Sequence, residues 1–377
     1  MLKRVICIPD SFKGTLSSSQ IIEVVKMTFE KHIPEVDVNG IEVADGGEGT
    51  VDAFLSISGG RKVTHQVSGP RFEKIDSFYG ILPGNVAVIE MAACAGLPLV
   101  KDNPNPLDTT TFGVGELMIS AWENGCRKMI IGLGGSSTND GGCGAAVALG
   151  IKFLDDTNEE FLPTGGTLNK ICKIDVSNIH PLVKDTQIIT MCDIDNPLYG
   201  ESGAAHVFGP QKGADNETVH FLDLGLQNLS KCIETDLNKQ VSDIPGSGAA
   251  GGMGGGMVAF FNSTLQSGIE TILDIAKFDD IINECDLIIT GEGRIDAQTL
   301  RGKVPIGVSR RAQKFNVPVL CVVGSIGEGI EEVYRQGITS IISINNQPVD
   351  FSISKSNSVE NLSITMDNLV RLLSITK

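Results

Sequence analysis

Hydrophobic and polar positions follow the rhythm of an α/β protein at the start of the chain. Residues 5–8 form a short continuous apolar run, which predicts a buried strand. Ser18 and Ser19 can cap the helix that follows, whose apolar positions recur on one face. Residues 40–44 predict a second strand and residues 50–56 a short helix. The first 60 residues therefore predict a β-α-β-α order.

The same rhythm returns near the end of the chain. Three further strands are predicted at 287–289, 319–323 and 340–344. The helices between and after them are predicted at 298–315 (kinked or divided by Pro305), 330–336 and 359–373, and the polar tract 347–361 is predicted to be a surface loop. Two strands at the front and three at the back predict an α/β fold with a flavodoxin-like, doubly wound parallel sheet of order 2-1-3-4-5, interrupted by an insertion.

The middle of the chain has a different pattern. Short strands with turn signals are predicted within 61–90, and longer elements follow, namely helices at 113–123 and 142–149 and strands at 129–131 and 188–192. We therefore predict a large inserted second α/β domain at 61–282, with residues 1–60 and 283–377 forming the discontinuous flavodoxin-like domain. We expect the active site in the cleft between them.

Glycine is concentrated in two places. Of the 44 glycines, six lie within 132–144 and seven within 246–256. Both clusters continue into apolar segments, which disfavours a flexible linker. Dense glycine inside an apolar chain indicates tight turns or close approach of the backbone to a ligand.

Composition and charge restrict the class of partner. The net charge of −16 argues against binding nucleic acid or an anionic membrane surface. The apolar run after Arg4 is too short for a signal peptide, and no run approaches a membrane span. Nine cysteines without a C-x-x-C pair indicate reduced thiols. We expect a cytoplasmic protein with small-molecule substrates and leave its oligomeric state open.

Four predicted strand ends carry carboxylates beside glycines, at 10–14, 45–50, 193–197 and 291–296. Ligands of open α/β sheets bind at the carboxyl ends of strands, whereas the alternative for any single Asp is a helix N-cap. Clustered carboxylates repel one another unless a metal or a cation lies among them. The residues that we predict to bind substrate or nucleotide at these ends are Ser11, Asp45, Gly46, Gly47, Glu48 and Glu292.

The acids Asp193 and Asp195 follow a strand two residues apart, and Pro197 prevents an immediate regular helix. Both carboxylates can therefore turn toward one site. We predict that they hold a metal, and that Asp193 is a catalytic residue that serves either the metal or the proton transfer. Asp296 is a further catalytic candidate.

Lys13 and Arg294 each lie within four residues of a strand-end acid and beside a glycine. In a 2-1-3-4-5 sheet their strands are neighbours, so we predict that both cations converge on one anion as catalytic residues. The planar guanidinium of Arg294 suits a carboxylate, and the flexible ammonium of Lys13 suits a moving phosphoryl group. The alternative is two surface cations that pair with Asp10 and Asp296.

The glycine loop 134–140 adds candidate anion contacts. Gly135, Ser136 and Ser137 offer backbone amides and hydroxyls, and helix N-terminal amides would add to them if Thr138 begins the next helix.

Other motifs are incomplete. The G-x-G-x-x-G match at 246–251 lacks a preceding strand, Lys303 lacks a Walker A context, and the five histidines show no zinc spacing.

Six segments, in this order, carry a resemblance over essentially the whole chain: 10–16, 44–50, 132–142, 208–214, 245–252 and 290–296. With them the sequence resembles the type-1 glycerate kinase family. The resemblance implies ATP-dependent phosphorylation of D-glycerate, with the 2-hydroxyl as the expected acceptor. It also implies a flavodoxin-like domain that is split by an inserted second domain. Mg²⁺ would accompany the ATP.

Two alternatives stay open at this point. One is a kinase for another small hydroxy acid, and the other is a non-catalytic regulator that binds a sugar acid. The presence of Lys13, Asp193, Asp195 and Asp296 favours an enzyme, because a domain that had lost catalysis could readily have lost them.

Overall fold

The computed structural model describes residues 2–43, 46–345, 347 and 350–375. The strands are β1 (Arg4–Pro9), β2 (Asp37–Gly40), β3 (Arg61–Ser68), β4 (Lys74–Leu82), β5 (Val86–Glu90), β6 (Lys128–Gly132), β7 (Lys152–Leu154), β8 (Glu160–Phe161), β9 (Lys173–Asp175), β10 (Gln187–Met191), β11 (Thr264–Gln266), β12 (Leu287–Ile295), β13 (Val319–Ile326) and β14 (Ser340–Ser343).

The α-helices are α1 (Ser18–His32), α2 (Thr50–Ser58), α3 (Ala92–Ala95), α4 (Phe112–Glu123), α5 (Cys143–Ala148), α6 (Ala204–Phe208), α7 (Asn216–Leu237), α8 (Ala249–Phe261), α9 (Gly268–Ile275), α10 (Phe278–Ile282), α11 (Val304–Lys314), α12 (Ile330–Arg335), α13 (Phe351–Ser356) and α14 (Ser358–Ser374). Short 3₁₀ helices connect several of them, including Ala297–Arg301 before α11. Pro305 lies in the first turn of α11, so the predicted division of that helix is confirmed.

The chain divides into two compact units. Unit 1 is Met1–Ala44 with Ile269–Lys377, and unit 2 is Asp45–Gly268. Helix α2 therefore belongs to unit 2, where it packs on β4, although the sequence pattern groups it with the first strands. Helix α10 belongs to unit 1, where Asp279 pairs with Arg311 of α11.

Unit 1 is built on five parallel strands in the order β14-β13-β12-β1-β2, which is the predicted 2-1-3-4-5 order of a flavodoxin-like sheet. Side chains alternate between the two faces because successive residues of a strand point to opposite sides. Cys7 and Val322 pack on one face with α1 and α14, whereas Val323 packs on the other with Ile306 of α11. The predicted α/β class is confirmed.

Unit 2 contains a six-stranded sheet in the order β11-β10-β6-β5-β4-β3. The pairs among β5, β6, β10 and β11 are parallel, and β3 and β4 are antiparallel additions at one edge. A small antiparallel sheet, β8-β7-β9, lies in the same unit. The predicted second α/β domain is thus confirmed in class, and its parallel strands are again covered by helices.

Three local predictions are wrong. The tract 347–361 is not a loop throughout, because α13 begins at Phe351 and α14 at Ser358; Ser and Asn have weak helix propensity, so packing decides here. Thr138 does not begin a helix, since α5 begins at Cys143. The second strand lies at Asp37–Gly40, three residues earlier than the apolar pattern indicates.

Candidate functional site

In unit 1, the first and last of the six segments meet at the carboxyl end of β1, beside the middle of β12. Pro9 pairs with Gly291, and the Asp10 amide donates to the Gly291 carbonyl at 2.8 Å. A Cβ added to Gly293 would be in ordinary van der Waals contact with Phe12, 3.4 Å from its Cα, so the two segments pack close together here. This is the switch point of the 2-1-3-4-5 sheet, where open α/β sheets bind ligands.

Glu292 is the buried acid of this edge. Its carboxylate accepts hydrogen bonds from Thr299 Oγ1 at 2.6 Å and from Lys303 Nζ at 3.0 Å, one on each oxygen. Burial raises the pKa of Glu292, and the bonds from Thr299 and Lys303 oppose that shift. The Glu292 side chain is 5% exposed, whereas that of Lys303 is 43% exposed.

The cations favoured by the sequence pattern are more exposed. The Arg294 side chain is 68% exposed, and its Nε lies 3.1 Å from Asp296 Oδ2. Lys13 is exposed in the turn after β1, and Ser11, two residues earlier, is half-buried. The structure thus brings Ser11, Lys13, Glu292, Arg294 and Asp296 to one edge of the sheet.

In unit 2, the turn 46–50, the glycine loop 134–140 and the segment after β10 lie at one edge of the sheet. Glu90 and Met191 both pair with Gly132, so the chain after β5, β6 and β10 leaves the sheet at the same level. The Gly134 amide donates to the Gly46 carbonyl at 3.0 Å, and a Cβ on Gly132 would lie 2.3 Å from that oxygen. Asp45 lies outside the described residues.

The turn that carries Gly46, Gly47 and Glu48 is fixed by a buried acid that the sequence analysis missed. Glu90 accepts a hydrogen bond from the Val51 amide at 3.1 Å, at the start of α2, and burial raises its pKa. Glu48 is exposed next to this turn. Glu90 is itself a strand-end carboxylate, so the rule that selected Asp10 and Asp193 could have found it.

The loop after β6 presents backbone to solvent. Gly135 is exposed with φ +73°, whereas Ser136 and Ser137 are buried. The Ser137 hydroxyl donates to the Ala95 carbonyl at 2.9 Å. The amides of Gly134 and Ser137 already donate to carbonyls of the protein, so the exposed backbone at Gly135 is the part of this loop that an anion can reach.

Asp193 and Asp195 are both exposed in the segment after β10. Asp193 Oδ1 accepts a hydrogen bond from the Gly268 amide at 2.7 Å, and the Gly248 amide donates to the Asn196 carbonyl at 3.0 Å. The glycine-rich start of α8 thus supports this segment. Exposed carboxylate oxygens are suitable ligands for Mg²⁺. Within the described ranges, no three His, Cys, Asp or Glu side chains form a complete metal site.

Behind the glycine loop lies a buried polar cluster that the sequence analysis also missed. Asp140 accepts from the Thr111 amide and hydroxyl and from the amides of Gly142 and Gly144, while burial raises its pKa. Lys212 Nζ donates to the Thr138 carbonyl at 2.6 Å, and burial lowers the pKa of Lys212 to about 7. Lys212 belongs to segment 208–214, so the motif could have marked it as a candidate. Nothing in the sequence indicated that its side chain is buried.

Comparisons with known proteins identify the family of the chain. A family model described as the glycerate kinase family matches residues 5–374. Among the helices that the structure describes, none has the length and apolar composition of a membrane span.

Curated relatives and a solved structure match over nearly the full chain. A glycerate kinase of Halalkalibacterium halodurans is 41% identical over 91% of both chains, and the glycerate 2-kinase of Escherichia coli K12 is 42% identical over 90% of both. The crystal structure of a glycerate kinase 2 from Salmonella typhimurium LT2 superposes with a TM-score of 0.85 at 37% identity, covering 100% of this chain and 99% of that one. The chain therefore belongs to the glycerate kinase family, a family of phosphotransferases that act on an alcohol group.

Proposed function

We propose that this protein transfers the γ-phosphoryl group of ATP to the 2-hydroxyl of D-glycerate, giving 2-phospho-D-glycerate. The observation that carries the proposal is the 42% identity, over 90% of the chain, to a relative named glycerate 2-kinase. The polar edges of both sheets support it, because phosphoryl transfer requires positioned cations, carboxylates and backbone amides rather than covalent chemistry by the protein.

Asp193 and Asp195 are the residues that would hold Mg²⁺. Both carboxylates are exposed, and the Gly268 amide fixes one oxygen of Asp193. Mg²⁺ usually arrives with the nucleotide and retains several waters, so one or two carboxylates suffice. When bound, the metal would neutralise phosphate charge.

The remaining residues at the two edges bind and orient the substrates. Lys13 and Arg294 supply positive charge beside Ser11, and Asp296 holds the Arg294 guanidinium. In unit 2, the exposed backbone at Gly135 and the turn at Gly46, Gly47 and Glu48 are suited to anionic oxygens. Ser137 supports that loop through its hydroxyl, and Ser136 supports it through a backbone bridge to Gly96.

The test is a coupled assay with the full chain, ATP, Mg²⁺ and D-glycerate, followed by NMR of the product. We expect turnover and a phosphate ester on carbon 2. Product phosphorylated on carbon 3, or no turnover by folded protein, would contradict the proposal. Parallel assays with L-glycerate, glycolate and lactate test whether another hydroxy acid is preferred.

The role of Asp193 is tested by replacement with Asn. Asp193→Asn retains the oxygen that accepts from Gly268 but removes the negative charge, so we expect kcat to fall by roughly 100-fold or more. Asp243→Asn, which changes a carboxylate on a different loop of unit 2, is the control. An unchanged kcat at saturating Mg²⁺ would leave Asp193 with a structural role only.

A further inference from the structure

The ion pair between Glu292 and Lys303 is asymmetric in exposure. Glu292 is almost completely buried, and its two oxygens accept from Thr299 and Lys303, whereas nearly half of the Lys303 side chain faces solvent. An ammonium group has three donors. Among the described residues, the structure gives Lys303 Nζ one acceptor, Glu292 Oε2.

This difference in exposure indicates that Glu292 positions Lys303, and that Lys303 is the residue accessible to a ligand. The Glu292 side chain is 5% exposed and each of its oxygens already accepts one hydrogen bond, so little of this carboxylate is open to a substrate or a metal. The Lys303 ammonium, in contrast, is fixed in position by one bond and still reaches solvent. A pair that only stabilised the fold would gain little over apolar side chains, because burying a carboxylate is costly.

The position of Lys303 in the fold supports the same conclusion. Glu292 follows Gly291, which pairs with Pro9 at the carboxyl end of β1. The chain returns through the 3₁₀ helix Ala297–Arg301, and Lys303 is the N-cap of α11. Lys303 therefore begins the N-terminal end of α11, and the dipole of a helix favours negative charge at that end.

We propose that Lys303 binds an anionic oxygen of a substrate, and that Glu292 and Thr299 are positioning residues that hold its ammonium in place. The shared chemistry is an oxyanion, either a phosphate oxygen of the nucleotide or the carboxylate of the hydroxy acid. This inference rests on the proposed function only for the identity of those two ligands.

Binding is measured by titration calorimetry on the full chain, with AMP-PNP plus Mg²⁺ and with D-glycerate in separate experiments. Loss of a charge-assisted hydrogen bond should raise the Kd of one ligand by roughly 10- to 100-fold in Lys303→Met, and Lys303→Arg should restore part of it. A higher Kd for AMP-PNP would show that Lys303 binds a phosphate oxygen, and a higher Kd for D-glycerate would show that it binds the carboxylate. The control is Lys314→Met, which removes the same charge from an exposed position on the same helix.

The positioning role is tested by a double-mutant cycle. Lys303→Met leaves the buried Glu292 carboxylate without its cation, so the double variant Glu292→Gln/Lys303→Met provides a neutral site if the single variant folds poorly. If Glu292 acts through Lys303, Glu292→Gln should weaken the same ligand, and the double variant should bind it no worse than Lys303→Met. A purely structural Glu292 would give additive losses.

The inference and the proposed function can fail separately. If the wild-type chain binds AMP-PNP in a Lys303-dependent way but does not phosphorylate D-glycerate, the proposed function fails and the inference stands. If the Kd values for both ligands, and kcat, stay within twofold of wild type in a folded Lys303→Met or double variant, the inference is overturned.

Discussion

The buried lysine of unit 2 predicts an unusual dependence of stability on pH. Lys212 is 2% exposed, and burial lowers its pKa from 10.5 to about 7. The unfolded chain therefore binds more protons than the folded chain between about pH 7 and pH 10.5. Stability linked to this group should rise with pH through that window and be constant below it.

The magnitude follows from the shift. Each pH unit within the window adds about 1.4 kcal/mol, so the full cost of burying the charged ammonium is ~5 kcal/mol below pH 7. Between pH 7.5 and 9.5 the free energy of unfolding of wild type, relative to Lys212→Met, should therefore increase by about 2–3 kcal/mol. The variant also loses the hydrogen bond to the Thr138 carbonyl, which adds an offset that does not vary with pH.

The chain offers a local probe for the assay. Its one tryptophan, Trp122, is buried in α4 of unit 2 and stacks on His180 with ring centroids 4.7 Å apart. Urea unfolding followed by tryptophan fluorescence, in reductant, therefore reports the unit that contains Lys212. Lys184→Met, at an exposed position of the same unit, should differ from wild type equally at every pH. A Lys212→Met difference that stays constant from pH 7.5 to 9.5 would refute the reasoning.

Two further predictions concern packing and ion pairing. Gly251 has φ +66°, and a Cβ there would lie 2.0 Å from the Thr138 carbonyl oxygen, so Gly251→Ala should cost about 3 kcal/mol or more in urea unfolding. Gly125→Ala, at φ +83° with nothing within 4 Å, should cost only about 1–2 kcal/mol, and equal losses would contradict the steric argument. In unit 1, Arg311 pairs with Glu270, Asp274 and Asp279, and these half-exposed acids raise its pKa above the usual value. Arg311→Met should therefore cost about 1–2 kcal/mol at low ionic strength and less at 1 M NaCl, and a loss independent of salt would exclude this ion network as its source.

The elements of unit 1 could be predicted because their strands are short, apolar and separated by helices with clear amphipathic patterns. The predicted strand order is confirmed, since only a few topologies suit five alternating units. Helix α7 was not predicted, although it is 22 residues long with Asp215 as its N-cap. Leu222, Leu226 and Leu229 form a buried apolar face of this helix. Its other positions are mostly polar, so the apolar face is difficult to recognise in the sequence.

The glycine-rich stretch 246–256 shows why the sequence could not determine local structure there. Glycine disfavours helix, yet Ala249–Phe261 forms α8, with left-handed backbone at Ala250, Gly251 and Gly252. Gly254 and Gly256 pack against the carbonyls of Gly246 and Gly141, respectively, so the helix is stabilised by contacts that only a residue without a side chain allows. Such tertiary contacts override propensity and cannot be detected in a sequence window.

The candidate cations of unit 1 show a second limit. By distance along the chain, Arg294 is closer than Lys303 to the acid Glu292. In the structure β12 continues to Ile295, so Arg294 lies on the strand beyond Glu292 and pairs with Asp296. Lys303, eleven residues after Glu292, returns to its carboxylate because the chain reverses through a 3₁₀ turn into α11. The reversal of the chain, and not the distance along the sequence, therefore decides which cation reaches the acid. A lysine at the start of the helix that follows a strand can for this reason be a better candidate for an anion site than an arginine on the strand itself.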